Sequence, residues 1–102
     1  MDDYSNEHIK KLILKINTKK LIIFGLTYCG YTEKTKKYAK DHKISYKYYN
    51  IDKEYNIFFK LLSSINKLKP TIGINTDHYT FPIIFYKNKF IGSYDDLIKS
   101  NL

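Results

Sequence analysis

Apolar residues recur at helical spacing near the start of the chain. Ile9, Leu12, Ile13 and Ile16 fall on one side of the stretch Asn6 to Ile16, with Lys10, Lys11 and Lys15 elsewhere. Ser5 is placed to cap this helix. Lys19-Lys20-Leu21-Ile22-Ile23-Phe24 then reads as a short strand, and its apolar run without alternation is the pattern of a central strand covered on both faces. The spacing predicts a turn from Gly25 to Gly30 and a second helix from Tyr31 to His42, with Thr35, Tyr38 and Ala39 inward. Ile44 to Ile51 alternates like a strand. Asp52 is placed to cap a third helix from Glu54 to about Lys67, whose apolar face is Phe58, Leu61, Leu62 and Ile65. Lys69 to Tyr79 shows no period and reads as a loop. Ile83–Tyr86 and Lys89–Ile91 flank Lys87-Asn88, a hairpin signal because Asn tolerates positive φ. A short last helix starts at Asp95 or Asp96. The predicted order is α-β-α-β-α-β-β-α, a βαβ unit joined to a ββα unit with helices on both faces of the sheet. No internal boundary or repeat divides residues 1–102, so one domain is expected.

Composition narrows the class. The chain is 43% hydrophobic and 27% charged, which suits a globular core rather than disorder. The longest apolar run, Leu21 to Leu26 with Gly25 inside it, is far too short to cross a bilayer. No secretory layout opens the sequence, so a reducing, cytoplasmic compartment is the expectation. The formal charge of +8 comes entirely from Lys, with no Arg. Lys34, Lys36, Lys37, Lys40, Lys43 and Lys47 gather around the second helix. Without Arg or a nucleic-acid motif, this reads as a solvated helix face rather than a nucleic-acid surface.

The single Cys excludes an internal disulfide and a self-sufficient zinc site. Cys29 follows the first strand and precedes a helix. The unpaired amides of a helix start favour an anion there, and the thiolate is the reactive form of Cys. Thr32, three residues on, can turn its hydroxyl toward the sulfur. An inert buried Cys is the competing explanation. Pro82 follows Thr80-Phe81 and cannot lie inside a central ladder. It either begins the third strand or forms a cis bond that presents the Phe81 backbone beside Cys29.

Together, Leu21-Ile22-Ile23-Phe24, Tyr28-Cys29-Gly30-Tyr31-Thr32, Thr80-Phe81-Pro82 and Phe90-Ile91-Gly92-Ser93-Tyr94-Asp95-Asp96-Leu97 resemble a glutaredoxin, in the right order, from Ser5 to the end. The resemblance implies the thioredoxin fold, with a four-stranded mixed sheet. It also implies a glutathione-dependent thiol–disulfide oxidoreductase that reduces protein–glutathione mixed disulfides, with Cys29 as nucleophile. Thr32 stands where dithiol members carry a second Cys, so only the one-Cys route is open. By the same resemblance, Gly30, Tyr31, Thr80, Phe81, Pro82, Tyr94 and Asp95 form the glutathione site. Thr80-Phe81-Pro82 matches Thr-Val-Pro, and Tyr94 with Asp95 meets the γ-glutamyl end. The implied partners are glutathione and glutathionylated proteins.

Three departures stand out. Leu26 replaces the Lys usual three residues before the Cys, with Lys20 or Lys60 as possible substitutes. The connection Lys67 to Tyr79, which holds His78, is longer than usual. The motif Cys-Gly-Tyr-Thr is neither Cys-Pro-Tyr-Cys nor Cys-Gly-Phe-Ser. The last point opens an alternative. Monothiol members hold a [2Fe–2S] cluster in a dimer, using one Cys and one glutathione from each side, and Gly30 in place of Pro leans that way. The dimer is expected only with the cluster, and a monomer otherwise. A further alternative is a domain that has lost its chemistry and serves as a basic binding module.

Overall fold

The computed structural model describes residues 5–78 and 80–100, leaving aside the side chains of Ser5 and Asn6. The cap expected from Ser5 therefore lies outside the described side chains. The elements are α1 (Ser5–Ile16), β1 (Leu21–Gly25), α2 (Gly30–Asp41), β2 (Tyr46–Asn50), α3 (Tyr55–Leu68), β3 (Ile83–Tyr86), β4 (Lys89–Gly92) and α4 (Tyr94–Ser100). The chain therefore has the thioredoxin fold, with the order β2-β1-β3-β4 in its four-stranded sheet. β1 pairs parallel with β2 and antiparallel with β3, which pairs antiparallel with β4.

The continuous apolar run of β1 has its explanation here. Flanked on both edges and covered on both faces, all five of its residues are buried. Strand alternation then divides the core. Ile22, Phe24, Ile83 and Phe85 pack with Ile9, Leu12 and Ile16 of α1 and with Phe58, Leu61, Leu62 and Ile65 of α3. Leu21, Ile23 and Ile84 face the other way, against Ala39 of α2 and Leu97 of α4. Phe24, Phe58 and Phe85 are at most 1% exposed, and burial of each contributes about 1.5–3 kcal/mol. The inward face predicted for α3 is the one observed. On α2 the inward residues are Thr32, Thr35 and Ala39, with Tyr38 half-buried.

Several boundaries move: β1 starts at Leu21, leaving the exposed Lys19 and Lys20 outside it. Gly25 belongs to β1 and not to the turn. A Cβ there would come within 2.5 Å of the Thr32 hydroxyl, so close packing against α2 demands glycine. Asp52 does not cap α3 directly. It opens a single 3₁₀ turn, Asp52–Glu54, that leads into the helix. The stretch after α3 is not a plain loop. It carries a 3₁₀ turn, Pro70–Ile72, and drives Ile72 and Ile74 into the core. Two isolated Ile residues carry no period, so the pattern gave no signal for them. The hairpin signal is borne out: Lys87 and Asn88 have φ of 50° and 64°. No helix among the described residues is long and apolar enough to cross a membrane.

Candidate active site

Topology brings four connections to one end of the sheet. β1 and β2 run parallel, so Gly25 and Asn50 end side by side and Asp52 follows close to the β1–α2 turn. β3 is antiparallel to β1, so its first residue, Ile83, lies beside Phe24, and Phe81-Pro82 sits next to Cys29. Gly92, at the end of β4, pairs with Ile84 and delivers the start of α4 to the same region. Open α/β sheets place ligands outside such strand ends.

Cys29 is the N-cap residue of α2, with extended backbone (φ −100°, ψ 110°) and no side-chain cap bond. Its carbonyl accepts the Thr32 N–H at 3.1 Å, and its own N–H donates to the Leu26 carbonyl at 3.3 Å. The half-buried sulfur is 3.8 Å from the Phe81 carbonyl oxygen, to which its S–H donates. The Phe81–Pro82 bond is cis, as one of the two sequence expectations had it.

The other site residues divide. Gly30 and Tyr31 open α2, Gly30 is exposed, and a Cβ on it would meet nothing within 4 Å. Tyr31 is 53% exposed and its ring lies 5.9 Å from that of Tyr94. Thr80 is exposed, and its carbonyl is 2.9 Å from His78 Nε2. His78 also packs edge-on against Phe90, so this half-buried side chain braces Thr80 from behind. Pro82 is buried, while Phe81 packs among Tyr55, Phe58 and Phe59. Asp95 is exposed and carries no hydrogen bond or ion pair among the described residues. Its neighbour Asp96 instead closes the first turn of α4, accepting the Ser93 N–H at 2.9 Å and hydroxyl at 3.2 Å.

Thr32 is fully buried, and among the described residues its hydroxyl has no hydrogen-bond partner. Its hydroxyl and its methyl both lie against Gly25. The lysines of α2 do not converge on Cys29. Lys36 pairs with Glu33, a hydrogen bond that raises its pKa, Lys37 pairs with Asp41, and Lys34 lies over the Tyr31 ring. Lys20 borders a depression with Leu14, Lys15 and Lys47 at the start of β1, the far end from Cys29, and so does not stand in for the missing Lys. Leu26 itself packs against the larger core cluster.

Sequence reading missed Asp52 as a neighbour of this site. Both its carboxylate oxygens accept from Thr27, one from the N–H at 3.0 Å and the other from the hydroxyl. The Thr27 hydroxyl bond is the main reason its carboxyl stays below the usual aspartate range. Only the parallel pairing of β1 with β2 joins residues so far apart in sequence.

The glutaredoxin family model matches residues 21–91. The chain belongs to the glutaredoxin family. A probable glutaredoxin of Acanthamoeba polyphaga mimivirus is 32% identical over 78 residues, covering 76% of this chain and 74% of that one. Buckwheat glutaredoxin, solved as a glutathione complex, superposes with a TM-score of 0.73 at 21% identity, over 99% of this chain and 84% of its own. The holo form of glutaredoxin C1 from Populus tremula x tremuloides gives 0.67 at 24% identity, over 94% and 87%. Family and fold support a thiol-oxidoreductase role for this glutaredoxin. A [2Fe–2S] cluster demands about four thiolates. Among the described residues no three His, Cys, Asp or Glu side chains converge, and one chain offers one thiolate. One chain alone therefore does not fit the cluster.

Proposed function

We propose that this glutaredoxin reduces protein–glutathione mixed disulfides by a one-Cys route with Cys29 as the nucleophile. The observation that carries the reading is the Cys29 sulfur at a helix start with no side-chain cap, 3.8 Å from the Phe81 carbonyl. The Cys29 thiolate attacks the glutathione sulfur of the mixed disulfide. One S–S bond forms to Cys29, one breaks, and the electron pair leaves on the target thiolate, which takes up a proton. A second glutathione thiolate then attacks the glutathionyl sulfur held on Cys29. Oxidised glutathione leaves, and Cys29 returns as thiolate. Each step depends on thiolate fraction and leaving group. Thr32 cannot form a disulfide, and its buried hydroxyl is a donor on α2 that no other group engages among the described residues.

The glutathione would lie extended along Thr80-Phe81-Pro82, adding a short strand to the Phe81 backbone. Gly30 and Tyr31 border the groove beside Cys29. Tyr94 and Asp95 take the γ-glutamyl end, where the Asp95 carboxylate is uncommitted and suits the amino group. The test is a glutathione-coupled assay on a glutathionylated peptide, with Cys29→Ser as control and a visible spectrum of protein purified without oxygen. Turnover lost in the Ser variant is the expected result. Absence of turnover, with Cys29- and glutathione-dependent absorbance, would transfer the function to a cluster-bridged dimer.

A further inference from the structure

One flank of the Cys29 groove is a depression of about 410 Å³ lined by Leu26, Thr27, Tyr28, Cys29, Asp52 and Tyr55. None of the six is a cation. Lys53 and Glu54 follow Asp52 in its 3₁₀ turn, and neither lines the depression. Asp52 is exposed, and among the described residues it forms no ion pair. A carboxylate has roughly four acceptor positions. Thr27 occupies two of them and the Asn50 side chain also bears on the carboxylate, which leaves a direction open toward the depression. The walls are apolar and aromatic: half-buried Leu26, Tyr55 at 52% exposure, and Tyr28 at 98%. Tyr28, Tyr31 and Tyr55 are three of the most exposed large side chains, and all three surround Cys29.

We infer that this depression receives the residue beside the substrate's disulfide cysteine, and that it selects a Lys or Arg of a polypeptide there. The inference rests on Cys29 as the attacking sulfur. A long basic side chain lays its aliphatic stem on Leu26 and Tyr55 and brings its charge to Asp52. The contact is a charge-assisted hydrogen bond, with the tyrosine rings adding cation–π attraction. A carboxylate in the same place meets a like charge with no cation to balance it. The rest of the protein pulls the other way, because a net charge of +8 draws acidic peptides from a distance. A preference for a basic neighbour would therefore be local in origin.

The experiment uses two peptides that differ only in Arg or Glu next to their single Cys. Each peptide is supplied as its mixed disulfide with glutathione and mixed with excess reduced protein in a single turnover. Cys29 attacks the glutathione sulfur, its S–S bond to glutathione forms, and the electron pair leaves on the peptide thiolate, whose release is followed in quenched samples by mass spectrometry. The expected result at low salt is an Arg-to-Glu rate ratio of about ten. Asp52→Asn keeps acceptor atoms toward Thr27 and should bring the ratio to one or below, since only the overall positive field remains. Leu26→Lys brings a cation to the same depression while leaving Asp52 and Thr27 in place. It should lower the ratio in the same way, which guards against misfolding of the Asn variant. A wild-type ratio near one, or a ratio that survives both variants, overturns the inference. A single turnover needs no second glutathione, so the ratio is read even where coupled glutathione turnover fails. Loss of that turnover would instead sink the proposed function alone.

Discussion

Cys29-Gly30-Tyr31-Thr32 and Ser93-Tyr94-Asp95-Asp96 occupy the same four positions at two helix starts, on the same end of the sheet. Their treatment of those positions is opposite. In α4 the carboxylate of the fourth residue, Asp96, reaches back to the N–H and hydroxyl of Ser93. This is half of a capping box, and it stabilises a helix of only seven residues. In α2 the fourth residue, Thr32, keeps its hydroxyl buried and unpartnered, and Cys29 makes no cap bond. A Ser, Thr, Asp or Asn cap is worth about 1 kcal/mol over an uncapped start. The α2 start forgoes that stabilisation and leaves its amides to whatever anion forms at the sulfur. One helix start is closed by its own side chains, and the other is left open at the sulfur.

Cys29→Ser breaks the contrast most sharply. Disulfide exchange should fall to the uncatalysed background in the coupled assay. Chemical denaturation should meanwhile show a gain of about 1 kcal/mol, because Ser supplies the cap that Cys does not. A variant that lost both activity and stability would contradict the idea of an uncapped start. Gly92→Ala attacks the other side. Gly92 has φ of 124°, and a Cβ there would overlap the Asp96 carboxylate. The strained backbone and displaced cap should cost about 2–3 kcal/mol, read as a lower denaturant midpoint.

Asp96→Ala removes the α4 cap without touching Gly92. A loss of about 1 kcal/mol is expected, with calorimetry as the check. Thr32→Val replaces the unpartnered hydroxyl with a methyl of similar shape. Stability should rise by about 1 kcal/mol, since a buried donor without a partner is costly. The exchange rate should fall roughly three- to tenfold, one hydrogen bond to the thiolate. A Val variant with full activity would remove Thr32 from the mechanism.

The smallest expected effect is on the Asp52–Thr27 bonds that tie the β1–α2 turn to the end of β2. Hydrogen bonds from Thr27 depress the Asp52 carboxyl below the ordinary 3.8. A depressed acid stabilises the folded state above its unfolded value, and the stabilisation is lost as the pH falls through the lower folded value. Unfolding midpoints should therefore be insensitive to Asp52→Asn in their pH slope above pH 3.8 and differ below it.

The elements were legible because each carries its own period. Phe58, Leu61, Leu62 and Ile65 mark one helix face, and Lys87-Asn88 marks the hairpin. The three motifs around Cys29, Pro82 and Gly92 were legible for a different reason, their resemblance in type and order to those of a glutaredoxin. Ile72 and Ile74 were not, because two buried residues in a loop have no period to detect. Asp52 reads as a helix cap from its local sequence, and becomes a neighbour of Cys29 only through the parallel register of β1 and β2.

By itself, the sequence determined most of the helices and strands, the single thiol and the absence of a second one. These follow from local periodicity and residue chemistry. The tertiary structure alone decided what surrounds the sulfur: the Phe81 carbonyl before it, the Thr32 hydroxyl turned toward Gly25, and an unbalanced carboxylate on its flank. Those relations join segments that are distant along the chain, and strand pairing, not local preference, sets their distances.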